Sequence, residues 1–196
     1  IDNACVYTDC SFIITYFHGE AMNGINTVAY KIPTILTTVF TMFSNAWNMS
    51  AITENDSEDR SRFYTNVFRL NQAFMYVMSA GILLLNRPIT YIWVNPAYYE
   101  AHRYSPILTI ATIFTCFNVF LGSAYIASKK TKRSFWTSLA AGVINIILNF
   151  ALIPKHGIYG AAIATAVSYF AVFFMRLFDT KKIIGYEASL PRIFIN

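Results

Sequence analysis

Residues 145–165 read NIILNFALIPKHGIYGAAIAT: two asparagines four positions apart in an apolar run, a Pro/Gly turn, then a run of small residues. In a helix Asn145 and Asn149 share one face. Hydrocarbon offers an amide no hydrogen-bond partner, so that face must meet protein or water. Beyond the turn, Gly160, Ala164 and Ser168 recur at every fourth position, the small-residue spacing that lets another helix approach closely. The stretch predicts a membrane helical hairpin packed inside a bundle.

The composition agrees. Hydrophobic residues make up 56% of the chain and charged residues 13%, with a mean hydropathy of +0.43, whereas soluble domains are about one quarter charged. A spanning helix needs roughly 20 mostly apolar residues. Five runs qualify, at about 27–50, 63–85, 106–127, 134–153 and 158–178, and a shorter one at about 10–17 precedes them. The chain opens Ile1-Asp2-Asn3 without a basic leader region, so 1–17 reads as the truncated end of a transmembrane helix. Residues 18–178 then hold five transmembrane helices, and 179–196 a cytoplasmic tail. The fold expected is an all-α, polytopic transmembrane helix bundle. Cys5, Cys10 and Cys116 form no CxxC pair or metal-ligand spacing and are expected as buried small apolar residues.

A net charge of +5 would suit nucleic acid in a soluble protein, but here its distribution follows topology and no nucleic-acid partner is expected. Loops 53–62, 128–133 and 179–192 hold nine Lys and Arg, while the opposite loops hold only Arg87, Arg103 and Lys155. The Lys/Arg-rich side marks the cytoplasm, which places the C-terminus there. Segment 86–105, NRPITYIWVNPAYYEAHRYS, is too polar and too interrupted by Pro88 and Pro96 to span, and is expected along the surface. Tyr91, Trp93, Tyr98, Tyr99 and Tyr104 suit the headgroup-level aromatic belt. The acidic loop ENDSEDRSR (54–62) lacks the Gly and Glu of a calcium loop and reads as a solvated connection.

Thr34, Thr38, Thr41, Asn45 and Asn48 form a polar stripe on the first full helix, and Ser138, Gly142, Asn145 and Asn149 form another on helix 134–153. Such a stripe either hydrogen-bonds to neighbouring helices or walls a water-filled cavity. The remaining basic residues, Lys31, Arg69 and Arg176, lie inside the hydrophobic runs, which contain no Asp or Glu. Lys31 and Arg176, near helix ends, are expected to snorkel to the interface. Arg69 lies roughly 9 Å inside its helix, within reach of either headgroups or a cavity. A cavity with such cations suits phosphate or carboxylate. His18, His102 and His156 fall in three separate outer loops and read as interfacial polar residues. The sequon Asn48-Met49-Ser50 falls at a cytoplasmic helix end and is set aside. Without a GxSxG, HExxH or Gly-rich phosphate loop, no catalytic residue, metal or cofactor is expected, and an enzyme is disfavoured.

Four stretches then point to a family: GINTVAYKIPTILTTVFTMFSNAWNMSA (24–51), Arg87-Pro88-Ile89-Thr90, KKTKR (129–133) and NIILNFALIPKHGIYGAAIATAVSY (145–169). Together they resemble the C-terminal half of a bacterial polysaccharide-transport flippase, of the multidrug/oligosaccharidyl-lipid/polysaccharide exporter superfamily, over about 7–180. The chain departs from the family in carrying Asn26 where Tyr is usual. The resemblance implies the C-terminal six-helix lobe of a two-lobe transporter, with its first helix truncated, in the bacterial inner membrane. It further implies translocation of undecaprenyl-pyrophosphate-linked oligosaccharide repeat units for O-antigen or capsule. The partners implied are that lipid-linked oligosaccharide, membrane lipid, the missing N-terminal lobe, and a polysaccharide polymerase and glycosyltransferases. On this reading Arg69 counters the pyrophosphate. Lys31, Thr34, Thr38, Thr41, Asn45, Asn145 and Asn149 line the cavity, with the asparagines facing sugar hydroxyls. The alternatives are a cation-coupled multidrug exporter, a membrane-embedded polysaccharide polymerase or ligase, and an inactive truncated remnant.

Overall fold

The computed structural model describes residues 2–53 and 60–184, and among them there are helices and no strands. They are α1 (Asp2–His18), α2 (Glu20–Thr53), α3 (Arg60–Trp93), a short 3-10 helix (Pro96–Arg103), α4 (Ser105–Ala127) and α5 (Thr131–Ile184). The fold is the expected all-α bundle. Loop 54–59, the tail 185–196 and the side chains of Cys5, Asp9 and Asn48 lie outside the described residues.

α5 is 54 residues long and would reach about 80 Å if straight. It is not straight. Gly157 sits at φ 55, ψ −130, a conformation essentially restricted to glycine, and the chain doubles back there into antiparallel arms, 131–156 and 158–184. Contacts across the arms establish the reversal: Arg133 Nη1 lies 2.6 Å from Asp179 Oδ1 at the open end, and Asn145 pairs with Ser168 midway. Near the turn the arms are so close that a Cβ on Gly160 would collide with the Leu152 carbonyl oxygen and lie 3.0 Å from Ile153 N. His18 Nε2 donates to the Ile153 carbonyl at 2.8 Å, tying the end of α1 to the turn.

α4 is central, packing on α5, α2 and α3, while α1 leans on α5 and α2. Pro33, inside α2, has no N–H, so the Ala29 carbonyl loses its usual helical donor. Ser105 Oγ at the start of α4 stands 3.3 Å from that oxygen and 3.0 Å from Ala101 O, sharing its proton between them. At the same end the rings of Tyr104 and Tyr159 meet at 4.6 Å. Burial, then the Glu100 carboxylate and Tyr159, push the Tyr104 phenol up, so it stays neutral. At the far end Trp47 stacks on Phe120 at 4.9 Å and on Phe63 at 5.4 Å, and its Nε1 donates to Ser123 Oγ at 2.8 Å. Trp47→Phe keeps an aromatic ring and deletes that bond. It is expected to cost about 1 kcal/mol, read as a drop of a few degrees in the thermal midpoint in detergent.

Among the described residues three helices are long and apolar enough to cross a membrane: 62–93, 105–126 and 131–181, the last being the two arms of α5. α2 is not among them, because Lys31, its threonines and Asn45 dilute its apolar run. Several boundaries lie beyond the apolar runs: α1 begins at Asp2 and α2 at Glu20, and α3 continues through Pro88 to Trp93 instead of ending near 85. Pro88 is exposed and removes a single helical hydrogen bond. The last turns are held by Asn86 Nδ2, donating to His102 O at 2.8 Å, and by Thr90 Oγ1, donating to Asn86 O at 2.8 Å. Tyr91, Ile92 and Trp93 point outward, as do Phe135 and Trp136 at the opposite end, as aromatic belts require.

Candidate functional site: a threonine-lined cavity

α2 and the second arm of α5 both pack on α4 but scarcely on each other, leaving a cleft with α4 as its floor. The cleft encloses a cavity of about 320 Å³. Thr27, Tyr30, Lys31, Thr34 and Thr37 form one wall, Thr112 and Thr115 the floor, and Thr165 and Tyr169 the other wall, with Pro33, Leu108 and Ala111 between them. Tyr30 Oη and Thr165 Oγ1 bridge the walls at 3.3 Å. Thr112, Thr115 and Thr165 are buried, whereas Lys31 is exposed at the mouth.

Five of the six lining threonines have already committed their protons. Thr27 donates to Asn23 O at 2.9 Å, Thr34 to Tyr30 O at 2.8 Å and Thr37 to Thr34 O at 2.8 Å. On α4, Thr112 donates to Leu108 O at 2.8 Å and Thr115 to Ala111 O at 3.1 Å. A hydroxyl bonded to its own helix keeps its lone pairs, so these side chains present acceptors and methyls to the cavity. None of the lining residues is acidic. The surface therefore favours hydroxyl donors near a negative charge.

The sequence-based candidates divide. Lys31 and Thr34 line the cavity. Thr38, Thr41 and Asn45 continue along the exposed face of α2 outside it. Thr38 donates to Thr34 O and Thr41 to Thr37 O, the same bonding to the preceding turn that Thr34 and Thr37 show, which leaves their lone pairs available on that face. Arg69 is exposed on α3 and is not part of the cavity. Asn145 and Asn149, expected to face the cavity, are fully buried in the seam of the hairpin. Asn149 Nδ2 donates to Asn145 Oδ1 at 2.7 Å, Asn145 Nδ2 lies 3.4 Å from Ser168 Oγ, and Ser168 donates to Ala164 O at 2.7 Å. The small residues Gly160 and Ala164 let the second arm close over the amides, which keeps them out of the threonine-lined cavity.

Arg176 is the other correction. Expected to snorkel, it is 3% exposed. Its Nη1 donates to Asn118 O at 2.8 Å, Nη2 to Ser138 Oγ at 2.7 Å and Nε to Thr137 Oγ1 at 3.1 Å, so one guanidinium ties α4 to both arms. The sequence reading missed Thr27, Tyr30, Thr37, Thr112, Thr115, Thr165 and Tyr169. A signal existed on α4, where Thr109, Thr112 and Thr115 recur every third position in an otherwise apolar run. Among the described residues no group of three His, Cys, Asp or Glu side chains converges as metal ligands.

The chain is 24% identical over 195 residues to an uncharacterized membrane protein of the archaeon Methanocaldococcus jannaschii, an alignment covering 95% of this chain and 36% of that protein. It is 34% identical over 77 residues to a second uncharacterized membrane protein of the same organism, covering 39% of this chain and 19% of the other. The chain thus spans little more than a third of the length of the first relative. No protein-family model and no solved structure matches. With the apolar helices, these similarities place the chain in a membrane. It is a membrane protein.

Proposed function

We propose that the chain forms one lobe of a flippase that carries polyprenyl-pyrophosphate-linked oligosaccharides across the bacterial inner membrane, without covalent chemistry, for assembly of a surface polysaccharide. The observation that carries the reading is the cavity: hydroxyl acceptors, a lysine at the mouth and no carboxylate in the lining. Sugar hydroxyls supply donors to such a wall, and an ammonium at its edge attracts the adjoining pyrophosphate. The polyprenyl tail stays in lipid while a second lobe, supplied by the remainder of a longer protein, rocks against this one in alternating access. The Lys/Arg-rich loops support a cytoplasmic C-terminus. A cation-coupled drug exporter would be expected to face its cargo with carboxylates, and the lining offers it a cation instead.

The test is flipping of a fluorescent short-chain diphospho-oligosaccharide lipid by the full-length protein in liposomes. Lys31→Ala is expected to slow it about tenfold, the worth of one charge-assisted hydrogen bond, and Lys31→Arg to retain most of the rate. Wild-type protein that exports a cationic dye and leaves the diphosphate lipid in place would replace this reading with the drug exporter. An unchanged rate in Lys31→Ala would remove the lysine from the substrate path.

A further inference from the structure

We infer that the turn joining α4 to α5 is a binding site for an anionic phospholipid headgroup at the membrane surface, whatever the cavity carries. The turn reads Ser128-Lys129-Lys130-Thr131-Lys132-Arg133, and all four of its cations are exposed. Arg133 has the Asp179 carboxylate at 2.6 Å. Among the described residues no carboxylate stands within ion-pairing distance of the three lysines.

The backbone holds these cations in place at a cost. Lys129 N donates to Ile126 O at 3.0 Å and Lys130 N to Tyr125 O at 2.8 Å, the paired bonds of a Schellman motif. That motif puts one residue in the left-handed region, and here it is Lys129, at φ 55. Glycine takes this conformation without strain, yet the chain has a lysine there. Lys132 and Arg133 then occupy the first turn of α5, which holds no acidic residue, although the positive end of a helix dipole disfavours cations. The dipole of α4 favours cations just past its own C-terminus, but it accounts neither for the strained backbone of Lys129 nor for Lys132. One anion bound at the turn offsets both.

The neighbouring side chains fix the kind of anion. Ile126 in the last turn of α4, with Phe135 and Trp136 just inside α5, is exposed as they are, so apolar groups flank the cations on their membrane side. A headgroup phosphate can meet the lysines while its acyl chains lie along these residues. At the other membrane face the cations are dispersed: Arg87, Arg103 and Lys155 come one each from α3, the 3-10 helix and the α5 turn.

The experiment counts lipids retained by the full-length protein in native mass spectrometry, with dioleoyl phosphatidylglycerol or dioleoyl phosphatidylcholine added to the detergent. A thermal scan accompanies each sample. Lys129→Gly removes one cation and relieves its backbone, and Lys129→Gly/Lys130→Gln/Lys132→Gln removes all three lysines. Arg87→Gln/Lys155→Gln serves as control.

Wild type and control are expected to retain phosphatidylglycerol about tenfold better than phosphatidylcholine. Lys129→Gly is expected to retain it about fivefold less well than wild type, the worth of one cation near a membrane surface, while melting no lower in lipid-free detergent. The triple variant is expected to lose the preference. Unchanged retention in both lysine variants, an equal loss in the control, or no preference in wild type overturns the site. Displacement of the lipid by millimolar inorganic phosphate assigns the turn to a soluble anion and overturns the lipid. None of these outcomes bears on the flippase reading, because none measures translocation.

Discussion

Gly160→Ala should separate the two arms of α5 and cost about 3–5 kcal/mol of stability. The added methyl meets backbone on the opposite arm: the Leu152 carbonyl oxygen, its carbon at 2.6 Å and Ile153 N at 3.0 Å. A side chain can rotate away from such an overlap, but a peptide group cannot, so the arms must part. Parting strains the pairing of Asn145 with Ser168. A buried amide left without its partner adds about 1–3 kcal/mol to the steric term. Gly142→Ala, on the first arm and facing open space, is expected to be neutral or slightly stabilising through helix propensity. The measurement is fluorescence-detected size-exclusion after heating in detergent. A Gly160→Ala protein melting within a degree of wild type would rule out the close approach of the arms.

Charge reversal at Arg176 is expected to be as damaging. In Arg176→Glu a carboxylate replaces a guanidinium that is 3% exposed. It would face the Asn118 carbonyl, an acceptor it can only repel, with the Thr137 and Ser138 hydroxyls as its remaining neighbours. Asp179, one turn further along the same arm, adds like-charge repulsion. An uncompensated buried charge costs about 3–5 kcal/mol, enough to keep the protein from accumulating in the membrane. Arg176→Met has a milder outcome, about 2 kcal/mol, because loss of the three hydrogen bonds is offset by relief from burying a cation. The ranking Glu far worse than Met, followed by membrane yield and thermal midpoint, separates this picture from an arginine reaching headgroups. In that case both substitutions would cost little.

The hairpin was the most legible part of the chain. Pro154, Gly157 and the small-residue spacing after them are local signals, and the structure places the turn at Gly157. Cys10 and Cys116 are buried, as their isolation from other ligand types implied. The cavity was only partly legible, because its walls come from α2, α4 and the second arm of α5, which meet only in three dimensions. Lys31 and Thr34 were found from their own helix, but Thr112, Thr115 and Thr165 depend on which faces those helices turn toward it. The α2 stripe divides for a related reason: Thr34, Thr38 and Thr41 all bond to the preceding turn, and only the packing of α4 and α5 against α2 puts Thr34 in the cavity and leaves Thr38 and Thr41 outside it. For Arg176 the error was geometric. Distance from a helix end gives depth along the axis and says nothing of the side of the helix on which the residue lies, and Arg176 lies on the side facing α4.

The amides sealed between the two arms also bear on how the chain enters the bilayer. Taken alone, each arm would carry incompletely paired polar groups into hydrocarbon: the amides of Asn145 and Asn149 on the first, which pair only with each other, and the guanidinium of Arg176 on the second. In the hairpin the first arm answers the second, amide to hydroxyl at Asn145 and Ser168 and hydroxyl to guanidinium at Ser138 and Arg176. The unit that partitions into lipid at low cost is therefore the pair of arms together. The reversal at Gly157, by bringing the polar groups of the two halves to one another, makes a sequence with such groups in each half compatible with a membrane.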